Sequence, residues 1–229
     1  MMAKKLKNSY VKLLDDIVDA YRQEQHNFEL IAEQICSSVL KNPKLRQLVH
    51  SVKYRTKDPD HLRDKLERYY QKAVTDGKSF NITPENVFEH VTDLAGVRIL
   101  HLHLSQFPQI DSILRDILVD LNYLVCEGPI ANTWDDEYRQ KFSEWGALPM
   151  ARESMYTSVH YVIDPQRKKP KRCELQVRTL MEEVWGEVSH TVNYPHETTN
   201  VIVKEQLKVL ARFTSGCTRL VDTIFHEDV

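Results

Sequence analysis

The segment Arg172-Cys173-Glu174-Leu175-Gln176-Val177-Arg178-Thr179 sets a carboxylate, an amide and a guanidinium at alternate positions. Alternate side chains of a strand share a face. Glu174, Gln176 and Arg178 therefore point together, and Cys173, Leu175 and Val177 point into an apolar layer behind them. An acid, an amide and a base aligned in this way could hold a metal ion, a sugar hydroxyl and a phosphate. The same pattern also fits an amphipathic edge strand with one solvated face.

Further polar clusters sit where side chains from different elements could reach a common cleft. Arg55-Thr56-Lys57, followed by Arg63 and Lys65, concentrates cations suited to a polyphosphate, because guanidinium grips phosphate oxygens as a fork and ammonium acts as a point charge. Its plainer reading is a solvated helix face with an Arg63 to Glu67 pair. In Asp93-Leu94-Ala95-Gly96-Val97-Arg98 a carboxylate precedes a small-residue turn into a buried strand, an arrangement that holds a divalent cation near close-approaching backbone, with Arg98 free for a phosphate. Alternatively, Asp93 caps the turn and pairs with Arg98. Tyr156, Ser158 and His160 share a face if extended, which lines up an aromatic platform, a hydroxyl and an imidazole. A tyrosine ring stacks on a nucleobase for roughly 1 to 3 kcal/mol. Ordinary packing of a half-buried strand explains the same residues.

The elements that must position these groups are legible from periodicity. Tyr10, Leu13, Leu14, Ile17, Val18, Tyr21, Phe28, Ile31, Ile35 and Val39 form one helical stripe that Asn42-Pro43 ends. An extended piece over 51–57 leads to a helix over 59–72, capped by Asp58 with Pro59 behind it. Thr83-Pro84-Glu85 opens another short helix, and strands are expected over 97–102 and 123–127 around a helix over 106–121. From Gly128 to Ser154 periodicity fails, so a long irregular functional loop is expected. Strands over 158–164 and 173–177 pair through the basic turn Arg167-Lys168-Lys169-Pro170-Lys171-Arg172, read as a solvated hairpin tip, and helices over 180–191 and 201–224 follow.

Composition narrows the function classes. A chain of 229 residues with 41% hydrophobic content can bury a substantial core. The formal net charge of -2 gives no global field for nucleic acid, so any polyanion site is a local cluster. No apolar run approaches a membrane span and the start lacks the apolar core of a signal peptide, so a cytoplasmic protein with no membrane partner is expected. Cys36, Cys126, Cys173 and Cys217 form no Cys-x-x-Cys pair and are expected to be reduced, buried thiols.

Taken in order, Arg55-x-Lys57 with Lys65, Asp93-Leu-Ala-Gly-x-Arg98, Tyr156-x-Ser158-x-His160 and Glu174-Leu-Gln-Val-Arg178-Thr179 with Trp185-Gly-Glu-Val-Ser-His190 resemble the synthetase domain of the RelA/SpoT family. The resemblance runs from about Val52 to Tyr194. It implies an α/β (α+β) nucleotidyltransferase-like fold, a mixed sheet flanked by helices, with a helical extension over 1–50, the synthetase domain over 51–195 and a C-terminal helix over 196–229. It also implies a pyrophosphokinase that moves the β,γ-pyrophosphoryl group of ATP to the 3′-hydroxyl of GDP or GTP, giving ppGpp or pppGpp and AMP.

By the same resemblance Arg55, Lys57, Lys65 and Arg98 bind ATP, and Asp93 and Glu174 are catalytic and hold Mg²⁺, Glu174 also serving as the base. Tyr156 stacks on the acceptor base with His160 near the acceptor phosphates, and Gln176 and Arg178 support that side. The partners implied are ATP and a guanine nucleotide, without nucleic acid; self-association is left open. The alternative is a toxic relative that pyrophosphorylates tRNA 3′ ends or adenine nucleotides, for which the basic turn would contact phosphates. His61 stands where many relatives have serine, and Met155 where glycine usually precedes the stacking tyrosine. The His-Asp dipeptide of the family's hydrolase domain is absent, so a synthetase unable to remove its product is expected.

Overall fold

The computed structural model describes residues 2–166, 170–193 and 197–227. The chain begins with α1 (Met2–Lys41), a short α2 (Leu45–Leu48) and β1 (Val49–Thr56). α3 (Pro59–Thr75), α4 (Val87–His90), β2 (Ala95–His101) and α5 (Phe107–Asp120) follow, with a 3₁₀ turn at Leu104–Gln106. β3 (Leu124–Thr133), α6 (Asp136–Glu144), β4 (Leu148–Ala151), β5 (Ser158–Asp164), β6 (Cys173–Thr179), α7 (Leu180–Asn193) and α8 (Val201–Glu227) complete it.

The strands form one six-stranded mixed sheet in the order β1-β2-β6-β5-β3-β4. β2 runs parallel to β6 and β3 to β4, and the other neighbours are antiparallel. β6 is an interior strand, so the edge-strand reading of its polar face is ruled out. Register turns sequence alternation into rows that cross the sheet. One row runs Lys53, Arg98, Gln176, His160, and the next Arg55, Gly96, Glu174, Val162.

The opposite face is apolar, with Val97, Leu175 and Tyr161 side by side. It shares one core cluster with Leu14, Ile17, Tyr21, Phe28, Ile31, Ile35 and Val39 of α1 and with Ile110 and Leu114 of α5. Each such side chain contributes about 1.5 to 3 kcal/mol on burial, so the α1 stripe is a substantial part of what holds the sheet. The Tyr21 hydroxyl also donates to the Lys57 carbonyl at 2.6 Å, which ties α1 to the end of β1 next to the polar face.

Two of the expected segments fold differently. Residues 128–154 are not an irregular loop, because β3 continues through them to Thr133 and α6 and β4 follow. Gly128 and Pro129, at the start of that segment, lie at a register shift where β3 leaves its ladder and re-enters it. Gly128 has φ 104 and its backbone lies so close to the His160 carbonyl that a side chain would collide. α6 is capped by Asp135, which accepts from the amides of Glu137 and Tyr138, and with only Tyr138 and Phe142 as its buried residues it is too short to show a stripe.

The second difference concerns the basic turn. Lys171 is buried and pairs with Glu24 of α1 at 3.2 Å, and Arg172 donates to the Glu89 carbonyl, so this part is not a solvated tip. Arg167, Lys168 and Lys169 lie outside the described residues. Of the cysteines only Cys36 and Cys173 are buried; Cys126 is half-buried and Cys217 exposed. Among the described residues no helix is long and apolar enough to cross a membrane.

Candidate active site

The Asp58 carboxylate accepts from the amides of Asp60 and His61 and so fixes the first turn of α3 directly after β1. This start sends Lys65 back over the entry to β2. There Asp93 receives Lys57 Nζ at 2.9 Å on one oxygen and Lys65 Nζ at 2.7 Å on the other. Burial alone would raise the Asp93 pKa, but the two lysines outweigh it and hold the carboxyl below the usual range. Lys65 is moved the opposite way: burial would lower it, and Asp93 keeps it above the ordinary ammonium value.

Glu174, on the neighbouring row, accepts from Gln176 Nε2 at 2.9 Å and meets His160 Nδ1 at 2.7 Å. Burial pushes this carboxyl up as well, and the His160 and Gln176 contacts bring it below its ordinary value. Asp93 and Glu174 are thus two ionised carboxylates on one cavity of about 290 Å³, together with Arg55, Gly96, Arg98 and Gln176.

A second cavity of about 310 Å³ adjoins the first across Arg98 and Gln176 and is lined by Tyr156, Arg178, Trp185 and His190. Tyr156 sits with the Arg178 guanidinium carbon 5.9 Å from its ring centroid and Trp185 at 6.3 Å. Burial raises the phenol pKa, against the pull of Arg178. The tyrosine follows Met155, which has φ 61, the left-handed conformation that glycine adopts without penalty. The residue that departs from the expected glycine keeps a glycine's backbone.

α7 supplies a group that strand alternation did not suggest. β6 runs straight into α7, whose first turn is fixed by the Glu182 amide donating to Thr179 Oγ1 at 3.2 Å. Glu183 is thereby buried beneath the polar face. It pairs with Lys53 and Arg98, each at 3.3 Å, and with Arg178. Arg98 also pairs with Glu187. Arg98 thus pairs with α7 and not with Asp93, the alternative reading of that motif, and borders both cavities. An acid in the helix turn after a strand carrying a buried guanidinium was the available signal for Glu183.

The structure brings Arg55, Asp93, Arg98, Glu174 and Gln176 to one cavity, with Lys57 and Lys65 joined to it through Asp93, and Tyr156 and Arg178 to its neighbour. His160 does not line either cavity; it lies behind them, between Tyr156 and Glu174. Arg63 is outside the site and pairs with Asp15 rather than Glu67. Ser158 is fully buried, its hydroxyl 3.5 Å from the Val177 carbonyl, and does not face the cleft.

Comparison with known proteins bears on the fold and the family. No curated protein sequence matches the chain. The structure is similar to that of the small alarmone synthetase 1 from Bacillus subtilis bound to its product pppGpp, with TM-score 0.63 at 18% identity over 90% of this chain and 97% of that one. The same Bacillus protein bound to AMPCPP gives TM-score 0.57 at 16% identity, covering 94% and 97%. A GTP pyrophosphokinase family protein from Streptococcus pneumoniae gives 0.58 at 16% identity, covering 96% and 94%. At such identities the likeness establishes the fold. The family model describing the region found in RelA / SpoT proteins matches residues 54–199, which include all the lining residues of the two cavities except Lys53, and the chain accordingly belongs to the RelA/SpoT family.

Proposed function

We propose that the protein transfers the β,γ-pyrophosphoryl group of ATP to the 3′-hydroxyl of GDP or GTP, releasing AMP. The observation that carries this reading is the pair of adjoining cavities with Glu174 on one, Tyr156 on the other, and Arg98 and Gln176 shared between them. Two nucleotides meeting at a shared wall is what a transfer between nucleotides requires.

The first cavity suits the donor. Arg55, Arg98 and the lysines around Asp93 offset the charge on the triphosphate and on the departing AMP, which is the main demand of phosphoryl transfer. The second suits the acceptor, its base against the Tyr156 ring, flanked by Arg178. The acceptor 3′-oxygen forms its bond to the β-phosphorus as the bond from that phosphorus to the α-phosphate oxygen breaks. Glu174 accepts the hydroxyl proton, and its depressed pKa keeps it ionised and ready at neutral pH.

What supports Mg²⁺ is the pair of carboxylates, Asp93 and Glu174, on one cavity. Among the described residues no group of three or more His, Cys, Asp or Glu side chains could hold a metal. Asp93 and Glu174 would supply two carboxylate ligands, with phosphate and water completing the shell in the manner this ion favours. When bound, the ion would supply charge neutralisation on the transferred group.

The reading is tested with γ-labelled ATP offered with GDP, GTP, ADP or deacylated tRNA in turn. Label should pass to GDP or GTP. Transfer to tRNA or ADP alone would overturn the acceptor assignment. Lys171 bears on the choice, because its pairing with Glu24 leaves the basic turn one cation poorer for an RNA backbone.

A further inference from the structure

Tyr156 and Glu174 belong to different cavities, yet a continuous chain of hydrogen bonds joins them. The Tyr156 hydroxyl lies 3.0 Å from His160 Nε2, and His160 Nδ1 lies 2.7 Å from Glu174 Oε1. The second Glu174 oxygen accepts from Gln176 Nε2 at 2.9 Å, and Gln176 Oε1 is 3.5 Å from the same tyrosine hydroxyl. The single phenol proton serves the shorter contact, to His160 Nε2, so the hydrogen-bonded chain runs Tyr156–His160–Glu174–Gln176 and Gln176 Oε1 is only a neighbour of the hydroxyl. The four residues come from β5, β6 and the segment just before β5, and the antiparallel register sets His160 directly opposite Gln176.

The direction of the bonds follows from the charge of Glu174. An ionised carboxylate only accepts, so Nδ1 must donate to it. In a neutral imidazole this leaves Nε2 as an acceptor, and the tyrosine hydroxyl is then its donor. A phenol that hydrogen-bonds an imidazole fixes the ring's tilt and tautomer, as the outer partners of other functional histidines do. Nothing in that geometry is needed for stacking, which uses only the ring face. A phenylalanine would stack as well.

We infer that the Tyr156 hydroxyl is a positioning group for Glu174, acting through His160, so that the residue against which the acceptor base packs also aims the carboxylate that receives the acceptor's proton. This rests on the pyrophosphokinase reading above and adds to it a coupling between acceptor docking and orientation of the base. His160 is in turn a positioning residue. It turns its two nitrogens to Tyr156 and Glu174 and is occupied on both sides.

The test separates ring from hydroxyl. Tyr156→Phe should leave the acceptor KM within about two-fold while kcat falls roughly ten-fold, since an interaction that aims the base acts on the transition state alone. Tyr156→Leu, which also removes the ring, should raise the acceptor KM in addition and leave the KM for ATP unchanged. His160→Asn keeps a donor near the Nδ1 position and drops the bond to the hydroxyl, so it should resemble Tyr156→Phe.

The decisive comparison is the double variant. If the hydroxyl acts through His160, Tyr156→Phe adds no further loss in the His160→Asn background; independent roles would multiply to about a hundred-fold. Multiplying losses, an unchanged kcat in Tyr156→Phe, or a loss confined to the acceptor KM would each overturn the inference. Binding of a non-hydrolysable ATP analogue, expected at the parent affinity in all variants, reports an intact site. A parent protein that labels no guanine nucleotide would instead overturn the pyrophosphokinase reading itself, an outcome distinct from any behaviour of the variants.

Discussion

Asp93 and Glu174 are buried to similar extents and are kept ionised by different partners, Asp93 by two lysine charges and Glu174 by an imidazole and an amide. Their substitution should therefore have a common effect on turnover and separate effects on stability. Either Asp93→Asn or Glu174→Gln should lower kcat by orders of magnitude, because each removes charge where several kcal/mol of barrier lowering is generated. Asp93→Asn should also lower the unfolding midpoint, since it leaves Lys57 and Lys65 partly buried without their counter-charge. Steady-state kinetics over a range of Mg²⁺ with parallel thermal melts checks both, and near-parent activity in the two variants would remove them from the reaction. At this scale much was legible from the sequence. Alternation placed Glu174 and Gln176 on one face, but it reports side and not depth, so Arg178 was expected on an open face and is buried. That His160 lies between Tyr156 and Glu174 was not legible, because the sequence showed that the two strands pair but not the register that sets His160 opposite Gln176.

α7 is the element whose contribution was least visible beforehand. Its stripe announced a helix, and nothing announced that Glu183 would sit among Lys53, Arg98 and Arg178. Removing that carboxylate by Glu183→Ala strands a buried guanidinium, which costs roughly 3 to 5 kcal/mol for a pair of this kind. Chemical denaturation should show that loss, and the KM values for both nucleotides should rise because Arg98 borders both cavities.

The neighbouring Glu182 behaves oppositely. It is buried with Oε1 lacking a hydrogen-bond partner, and burial pushes its pKa up to about 8, aided by Asp135 and opposed by Arg178. A carboxyl raised in the folded state holds a proton that the unfolded chain has released. Its contribution to stability is therefore intact below the ordinary carboxyl pKa and is lost as pH rises through about 8. Glu182→Gln should melt with the parent near pH 4 and increasingly above it from pH 5 to 9. A constant gap across that range would show that Glu182 does not titrate with folding. The error over 128–154 belongs to this scale too: Gly128, Pro129 and Gly146 are turn residues by type, and only the sheet reveals that the first two ride on a bulge within β3.

For the molecule as a whole, the sheet separates two tasks. One face is apolar and is sealed by α1 and α5, and the other carries the crossing polar rows, with α7 packed against β2 and β6. The fold class was legible through the resemblance that the order of the motifs carries to the RelA/SpoT synthetase domain. What stayed illegible was the division of the polar face into two cavities, which depends on strand order. The central claim is that those cavities hold a pyrophosphoryl donor and a guanine nucleotide acceptor. The most direct test is the stoichiometry of AMP to labelled product with GTP, beside the same reaction with 3′-deoxyguanosine triphosphate. The account predicts one AMP for each pentaphosphate formed from GTP and no product from the 3′-deoxy analogue. Release of ADP in place of AMP, or equal labelling of the 3′-deoxy analogue, would contradict it.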